Sequence, residues 1–299
     1  MILNKSLMIR LLKNYFQLFK FKIFNNKLSI FCNILHEINY FLAKLVFLLK
    51  ARPSLKLNEL SYDLKKRGYI IFNNEKNTDK LKFLADEISK SFEQKKNLIY
   101  ENEKVSYLNP TFLNQNDLKQ IFTTELINCV ENYYKSSFKI YSYHIYRTDF
   151  SNKDNEDSYL WHTDNSTRHS LKLMFYLDNV SSQEGAMEII DTINSKKIFK
   201  AGFYDRKQQE KFKDILDDNS HKCETFFGNI VIFKNSINLH RARKPLTRKR
   251  DVININVYPS IENFKNFINK DIENLFFNSG FSLNPLTNKP QNILKIEKN

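Results

Sequence analysis

In the stretch Trp161-His162-Thr163-Asp164 an imidazole and a carboxylate stand two residues apart. In extended backbone, residues i and i+2 project to the same face, so both side chains can reach one ion. His240 can supply a third ligand. Two imidazoles and one carboxylate fix three positions on one face of a metal and leave the others open, as a non-haem Fe(II) oxygenase requires. Downstream, Arg250 can hold an anionic cosubstrate, because the planar guanidinium matches a carboxylate in two parallel hydrogen bonds. Alone, a His-x-Asp pair is a weak signal in a chain with six histidines, and each of these groups also reads as an ordinary core or surface side chain.

The elements that must position these residues follow from periodicity. Residues 55–66 read as a helix ending at Gly68, followed by a strand, Tyr69 to Phe72. Thr78 caps a helix whose apolar stripe includes Leu81, Leu84, Ala85 and Ile88. Residues 99–117 read as loop, and Leu118 to Lys135 as one helix. From Phe138 to Arg147 the period changes to that of a strand with Ser142, His144 and Tyr146 on one face. After a polar, acidic loop over 151–158 comes the His-x-Asp pair, then strands Leu171 to Leu177 and Ala186 to Ile190. A charged, partly helical and exposed insertion is expected over 195–220. Asn229 to Phe233 is a strand leading through a short turn to His240, and Val252 to Tyr258 is another, stopped by Pro259. On that last strand Arg250, Val252, Asn254 and Asn256 share one face and Ile253, Ile255 and Val257 the other, as a barrel with a polar lumen or a half-exposed strand would have it. Helices first and short strands afterwards suggest an antiparallel β core with helices on one side.

Composition bounds the alternatives. At 299 residues the chain suits one large domain with appendages, and 41% hydrophobic content with only 5 Gly and 6 Pro argues against a disordered linker. The net charge of +14 suits anionic partners, yet the lysines are spread out and accompany no nucleic-acid-binding signature, so no specific nucleic acid is expected. Three separated cysteines, Cys32, Cys129 and Cys223, give neither a zinc site nor a disulfide framework and read as reduced thiols in a cytoplasmic protein. Residues 1–52 form an amphipathic helical extension, with apolar stripes at Met8, Leu11, Leu12, Tyr15, Phe16 and Phe19 and at Phe31, Ile34, Leu35, Ile38, Phe41, Leu42, Leu45 and Leu49. Neither stripe is a transmembrane span, and no signal peptide is expected. The favoured reading packs these helices on the following domain; the other lets residues 1–50 touch a membrane peripherally.

Four ordered segments make the pattern specific: Trp161-His162-Thr163-Asp164, Leu171 to Leu177, Glu184-Gly185-Ala186-Met187, and Gly228 to Phe233 leading into His240 and Arg250. Together they resemble the phytanoyl-CoA dioxygenase family, Fe(II)- and 2-oxoglutarate-dependent oxygenases, over roughly residues 58–260. The resemblance implies a mainly β fold with flanking helices around a double-stranded β-helix, the cupin-like jelly roll, spanning 53–260, with 261–299 as a tail packed through Phe264, Phe267 and Ile268. It implies that His162, Asp164 and His240 ligate iron and that Arg250 pairs with the distal carboxylate of 2-oxoglutarate. Lys172 and Tyr176 share a strand face and can approach the same cosubstrate. Arg241, Arg243, Arg248 and Lys249 crowd the loop before Arg250, which is chosen by strand register. Ala242 stands where relatives often carry a hydroxyl residue, and the carboxylate of Asp164, absent from halogenating relatives, points to hydroxylation of a small organic substrate; the basic content of the loops at 99–117, 151–160 and 195–220 hints at an anionic one. The competing readings are a non-catalytic jelly-roll binding protein on a membrane or anionic partner, and a metal-dependent isomerase or hydrolase.

Overall fold

The computed structural model of the chain describes residues 27–49, 59–74, 78–101, 103–109, 112–113, 115–150, 157–164, 166–263, 282–283 and 290–291. Ten strands carry the core: β1 (Tyr69–Phe72), β2 (Leu98–Glu101), β3 (Val105–Leu108), β4 (Ser137–Thr148), β5 (Leu171–Tyr176), β6 (Glu188–Ile190), β7 (Ser220–Lys222), β8 (Ile230–Phe233), β9 (His240–Arg241) and β10 (Arg250–Ser260). Seven form one antiparallel sheet in the order β1-β8-β5-β10-β4-β3-β2, and three form a second, β7-β6-β9. A bridge from His162 to His240 extends the small sheet beside β9. From β4 onward the chain crosses to the small sheet at His162, returns at β5, crosses for β6 and β7, returns at β8, crosses at β9 and returns at β10. That alternation is a double-stranded β-helix, as the family resemblance implies.

The large sheet is buried on both faces, which is why β5 and β8 read as near-continuous apolar runs. Its outer face (Leu171, Leu173, Phe175, Ile230, Ile232, Ile253, Ile255) packs with Leu64, Leu81, Ile88, Leu126 and Val130. These and Leu118 come from helices α2 (Glu59–Arg67), α3 (Thr78–Glu93), α4 (Gln115–Ile121) and α5 (Thr124–Tyr134), which follow a first helix, α1 (Lys27–Leu49). Its inner face (Met174, Tyr176, Val231, Phe233, Val252) meets Ile189 of the small sheet and Met187 just before it. Cys129 and Cys223 are buried, and burial pushes both thiols up to about 12, so they are inert packing residues.

Several expectations need correcting. Residues 99–117 are not loop throughout: β2 and β3 form a hairpin whose Val105–Leu108 alternates half-buried and buried residues against β4. The strands are only four residues each, so their period is easily missed. The helix expected over 118–135 is two, because Thr123 interrupts it and its Oγ accepts from the Leu126 N–H at 3.2 Å, capping α5. Pro259 does not stop β10 but pairs with Phe138. The other neighbour, β5, ends at Leu171 opposite Val257, so Pro259 sits where the strand has one partner and its missing N–H costs nothing. The insertion over 195–220 is more than an exposed appendage. Through α6 (Thr192–Lys200) and α7 (Lys213–Asp218) it covers the outside of the small sheet, burying Ile198, Phe203, Phe212 and Leu216 with Trp161 and Leu239, and it ends in β7.

The sharpest correction concerns α1, whose apolar stripe faces away from the domain. Ile34, Ile38, Phe41, Leu42, Leu45, Leu48 and Leu49 are all exposed. The polar side docks instead: the Tyr40 hydroxyl donates to the Tyr134 carbonyl at 3.0 Å, Glu37 lies 2.9 Å from His169 Nε2, and His36 packs edge-on against Tyr258. The apolar outer face of the sheet is already covered by α2 to α5, so the surface left for α1 is aromatic and polar. The stripe over Met8–Phe19 and the tail residues Phe264, Phe267 and Ile268 lie outside the described residues.

Candidate metal centre

The register of the small sheet builds the site. His162 and His240 exchange backbone hydrogen bonds of 3.0 and 2.9 Å, which sets their rings side by side with centroids 4.5 Å apart. Period two then sends their neighbours outward, Trp161 into the cluster under the insertion and Arg241 across its ring at 4.6 Å. The Asp164 N–H donates to the Asn235 carbonyl at 2.8 Å, tying the stretch to the turn after β8 and aiming the carboxylate at the two rings. Asp164 Oδ1 is 3.6 Å from His162 Nε2 and 3.4 Å from His240 Nε2, and the three donor atoms lie within 4.8 Å of one another.

This donor set fits a divalent transition metal. Nδ1 of His162 is 2.7 Å from the Leu160 carbonyl and Nδ1 of His240 is 2.9 Å from the Asn238 carbonyl. A carbonyl can only accept, so each Nδ1 carries the proton and each Nε2 turns its lone pair inward. Burial holds His240 below the ordinary imidazole range, against the pull of the Asp164 carboxylate, and so favours the neutral form. Burial alone would raise Asp164, but the Lys172 ammonium and then His240 outweigh it and hold the carboxyl well below its usual range. Lys172 Nζ forms an ion pair with Asp164 Oδ2, which also accepts from Asn235 Nδ2 at 2.9 Å, leaving Oδ1 for the centre.

The wall of the site is the inner face of the large sheet. Across β4, β10 and β5 the register makes successive rows: Thr148 with Arg250; Tyr146, Val252 and Tyr176; His144, Asn254 and Met174; Ser142, Asn256 and Lys172. Lys172 thus marks the metal end and Arg250 the far end. Arg250 is 3% exposed. Its Nη2 reaches Thr148 Oγ1 at 3.3 Å, its Nη1 the Arg243 carbonyl at 3.4 Å, and its guanidinium lies 5.8 Å from the Tyr176 ring. Among the described residues its Nε has no partner and no carboxylate lies in ion-pair range of it. The competing cations of the loop are all engaged elsewhere: Arg241 and Arg243 with Glu188, Arg248 with Asp178, and Lys249 with Asp149. Tyr176 accepts from the Met187 N–H at 3.3 Å. On the rows of Met174 and Lys172 the buried atoms His144 Nδ1, Asn254 Oδ1 and Asn256 Oδ1 find no hydrogen-bond partner among the described residues.

All six residues singled out from the sequence therefore line one interior: His162, Asp164 and His240 converge, Lys172 touches Asp164, and Arg250 and Tyr176 meet two to three rows away. Two supports escaped sequence reasoning. Asn235 holds Asp164 through both its carbonyl and its amide, and Asn238 presents the carbonyl that orients His240. The Asn238 amide donates to the Arg67 and Ile190 carbonyls at 3.1 and 2.8 Å. Their only signal was a polar turn, Lys234 to Asn238, between a strand and a histidine.

No protein-family model and no curated protein matches the sequence. Solved structures do align with it. EctD from S. alaskensis in its apoform gives 12% identity and a TM-score of 0.51 over 67% of this chain and 75% of that one. The same protein with bound Fe gives 11% and 0.50 over the same shares. HygX from Streptomyces hygroscopicus with nickel, 2-oxoglutarate and hygromycin B bound gives 13% and 0.49 over 69% and 89%. The likeness to EctD establishes a shared jelly-roll fold.

Proposed function

We propose that the chain is an Fe(II)- and 2-oxoglutarate-dependent oxygenase that hydroxylates a small organic substrate, related to the phytanoyl-CoA dioxygenase family by the motifs at 161–164, 171–177, 184–187 and 228–250. The observation that carries this reading is Arg250: a buried guanidinium without a carboxylate partner among the described residues, in the same interior as a His-Asp-His cluster. A buried charge left unpaired is costly, and an anionic ligand supplies what the fold omits. The shared fold adds support, because EctD on the same scaffold is solved with bound Fe.

His162, Asp164 and His240 would hold Fe(II). When bound, the metal with 2-oxoglutarate and O₂ supplies hydroxylation of a substrate C–H bond, coupled to conversion of 2-oxoglutarate to succinate and CO₂. The protein's own work is positioning. The Leu160 and Asn238 carbonyls keep both imidazoles in the Nε2-in tautomer, and Asn235 with Lys172 fixes the carboxylate rotamer. Arg250 orients the distal carboxylate of 2-oxoglutarate, with Tyr176 flanking it. Lys172 and Tyr176 are four residues apart on one strand, about 13 Å, so a small dicarboxylate fits between the metal end and the arginine end. The unpaired atoms of His144, Asn254 and Asn256 offer polar contacts to the ligands held there.

The test is to load the full chain with Fe(II) and follow O₂ uptake and succinate formation from 2-oxoglutarate. Both are expected, in equal amounts, and both are lost in His162→Ala. Turnover of a substrate without O₂ uptake would make the protein an isomerase or hydrolase. Neither metal binding nor succinate would leave a binding protein.

A further inference from the structure

We infer that α1 is a membrane-contact face that lays the domain on an anionic lipid bilayer. The inference stands apart from the chemistry of the metal centre. A surface helix of a globular protein turns its apolar stripe to the core and its charges to water. Here every described residue of α1 that is exposed is apolar, and Phe41, Leu48 and Leu49 are 66%, 71% and 74% exposed. The helix is not misplaced by weak docking: Ala43 is buried, and Glu37, Tyr40 and His36 hold the inner side against His169, Tyr134 and Tyr258. A contiguous exposed apolar patch of this kind marks an interaction surface.

Charge selects the occupant. Lys44 Nζ lies 4.1 Å over the Tyr40 ring at the base of the patch. Lys234 Nζ donates to the Lys65 carbonyl at 2.9 Å, and its ammonium packs 5.6 Å from Tyr133, next to the Tyr40 contact. Arg168 precedes His169, which meets Glu37 and Tyr40 of α1, and Lys196 lies on α6, which packs on the helix of Lys65. Burial, then Lys196, Lys65 and Arg168, push Lys234 down to about 8, so these cations feel one another. Lys65, Arg168 and Lys196 are exposed. A second copy of the chain would bring the same cations against these. Residues 1–26 contain Lys5, Arg10, Lys13, Lys20 and Lys22 and no acidic residue, so they too repel this flank. An anionic bilayer satisfies both parts, taking the aliphatic and aromatic side chains into its interfacial zone and the cations at its headgroups. The inner side of α1 is held on the domain through Tyr40, Glu37 and His36, which sets the contact in the interface plane. No described helix is long and apolar enough to cross a membrane.

The test uses the full chain and vesicles of phosphatidylcholine with or without phosphatidylserine. Co-sedimentation is expected with the anionic vesicles and is weakened by salt. Ile38→Ser/Phe41→Ser/Leu45→Ser should bind at least a hundredfold more weakly with an unchanged melting temperature. Lys65→Gln/Arg168→Gln/Lys196→Gln should lose about fivefold per cation. As a second readout, Phe41→Trp adds an exposed indole to a chain whose only other tryptophan, Trp161, is buried. Its emission should shift to the blue on anionic vesicles and be quenched by brominated lipid. No sedimentation, or sedimentation indifferent to the serine variant, would overturn the inference. So would a Phe41→Trp indole already shielded from aqueous quencher in buffer, because residues 1–26 or a second copy would then cover the face.

Discussion

Replacing Arg250 by methionine separates a structural arginine from one reserved for a ligand. The guanidinium is 3% exposed, and its two protein hydrogen bonds, 3.3 and 3.4 Å, are long. Each contributes about 1 kcal/mol at most, while a buried cation without a carboxylate costs several kcal/mol. Arg250→Met is therefore expected to melt at the same temperature as the parent chain or above it. Binding of 2-oxoglutarate should suffer, because it loses two charge-assisted hydrogen bonds of about 1.5 kcal/mol or more each. Their sum, about 3 kcal/mol, corresponds to roughly a hundredfold rise in Kd. Arg250→Lys keeps the charge and loses the fork, so it should fall between. The assay is an anaerobic calorimetric titration of 2-oxoglutarate into the Fe(II)-loaded protein, paired with a thermal melt of each variant. Unchanged affinity in Arg250→Met, or a loss of several kcal/mol in its stability, would refute the reasoning.

Three further outcomes follow from the geometry. Trp161→Ala empties the centre of the cluster formed by Ile198, Phe203, Phe212 and Leu216 and should cost about 3–5 kcal/mol in a denaturant titration; a loss under 1 kcal/mol would mean the insertion does not depend on it. Gly68→Ala meets both a positive φ of 84° and a Cβ position 2.2 Å from the Asn238 and Thr192 side chains. It should destabilise the chain by about 2 kcal/mol or more and, through Asn238, weaken metal binding at His240, as a metal titration of the purified variant would show. His144 is held at about 4 by burial and then by Lys172, whereas the unfolded chain protonates it near 6.5. The unfolded state thus binds the extra proton between those values, and stability falls as the pH drops through that window. His144→Asn should flatten the fall in melting temperature between pH 6.5 and 4 relative to the parent; identical slopes would show that His144 titrates normally.

Much of this was legible in the sequence because the relevant signals are local. His162 and Asp164 share a face by the spacing of a strand, and Arg250 stands apart from Arg241, Arg243, Arg248 and Lys249 because it alone falls on β10, on the face of Val252, Asn254 and Asn256. What was not legible depends on the partner element. The outward turn of α1 follows from α2 to α5 having already covered the sheet, a fact that the amphipathic pattern of Ile34 to Leu49 does not contain. Pro259 could continue β10 only because β5 ends at Leu171, which a single strand cannot reveal. Asn235 and Asn238 act through carbonyls and amides set by the turn after β8, and any polar residue pattern would have looked the same.

The central claim is that His162, Asp164 and His240 together hold one metal ion. An anaerobic calorimetric titration of Fe(II) into the full chain tests it most directly. One equivalent should bind, and Asp164→Ala and His240→Ala should each abolish that binding, while Asp251→Ala, whose carboxylate pairs with Arg147 on the other face of β10, keeps it. Fe(II) binding that survives in both Asp164→Ala and His240→Ala would contradict the account.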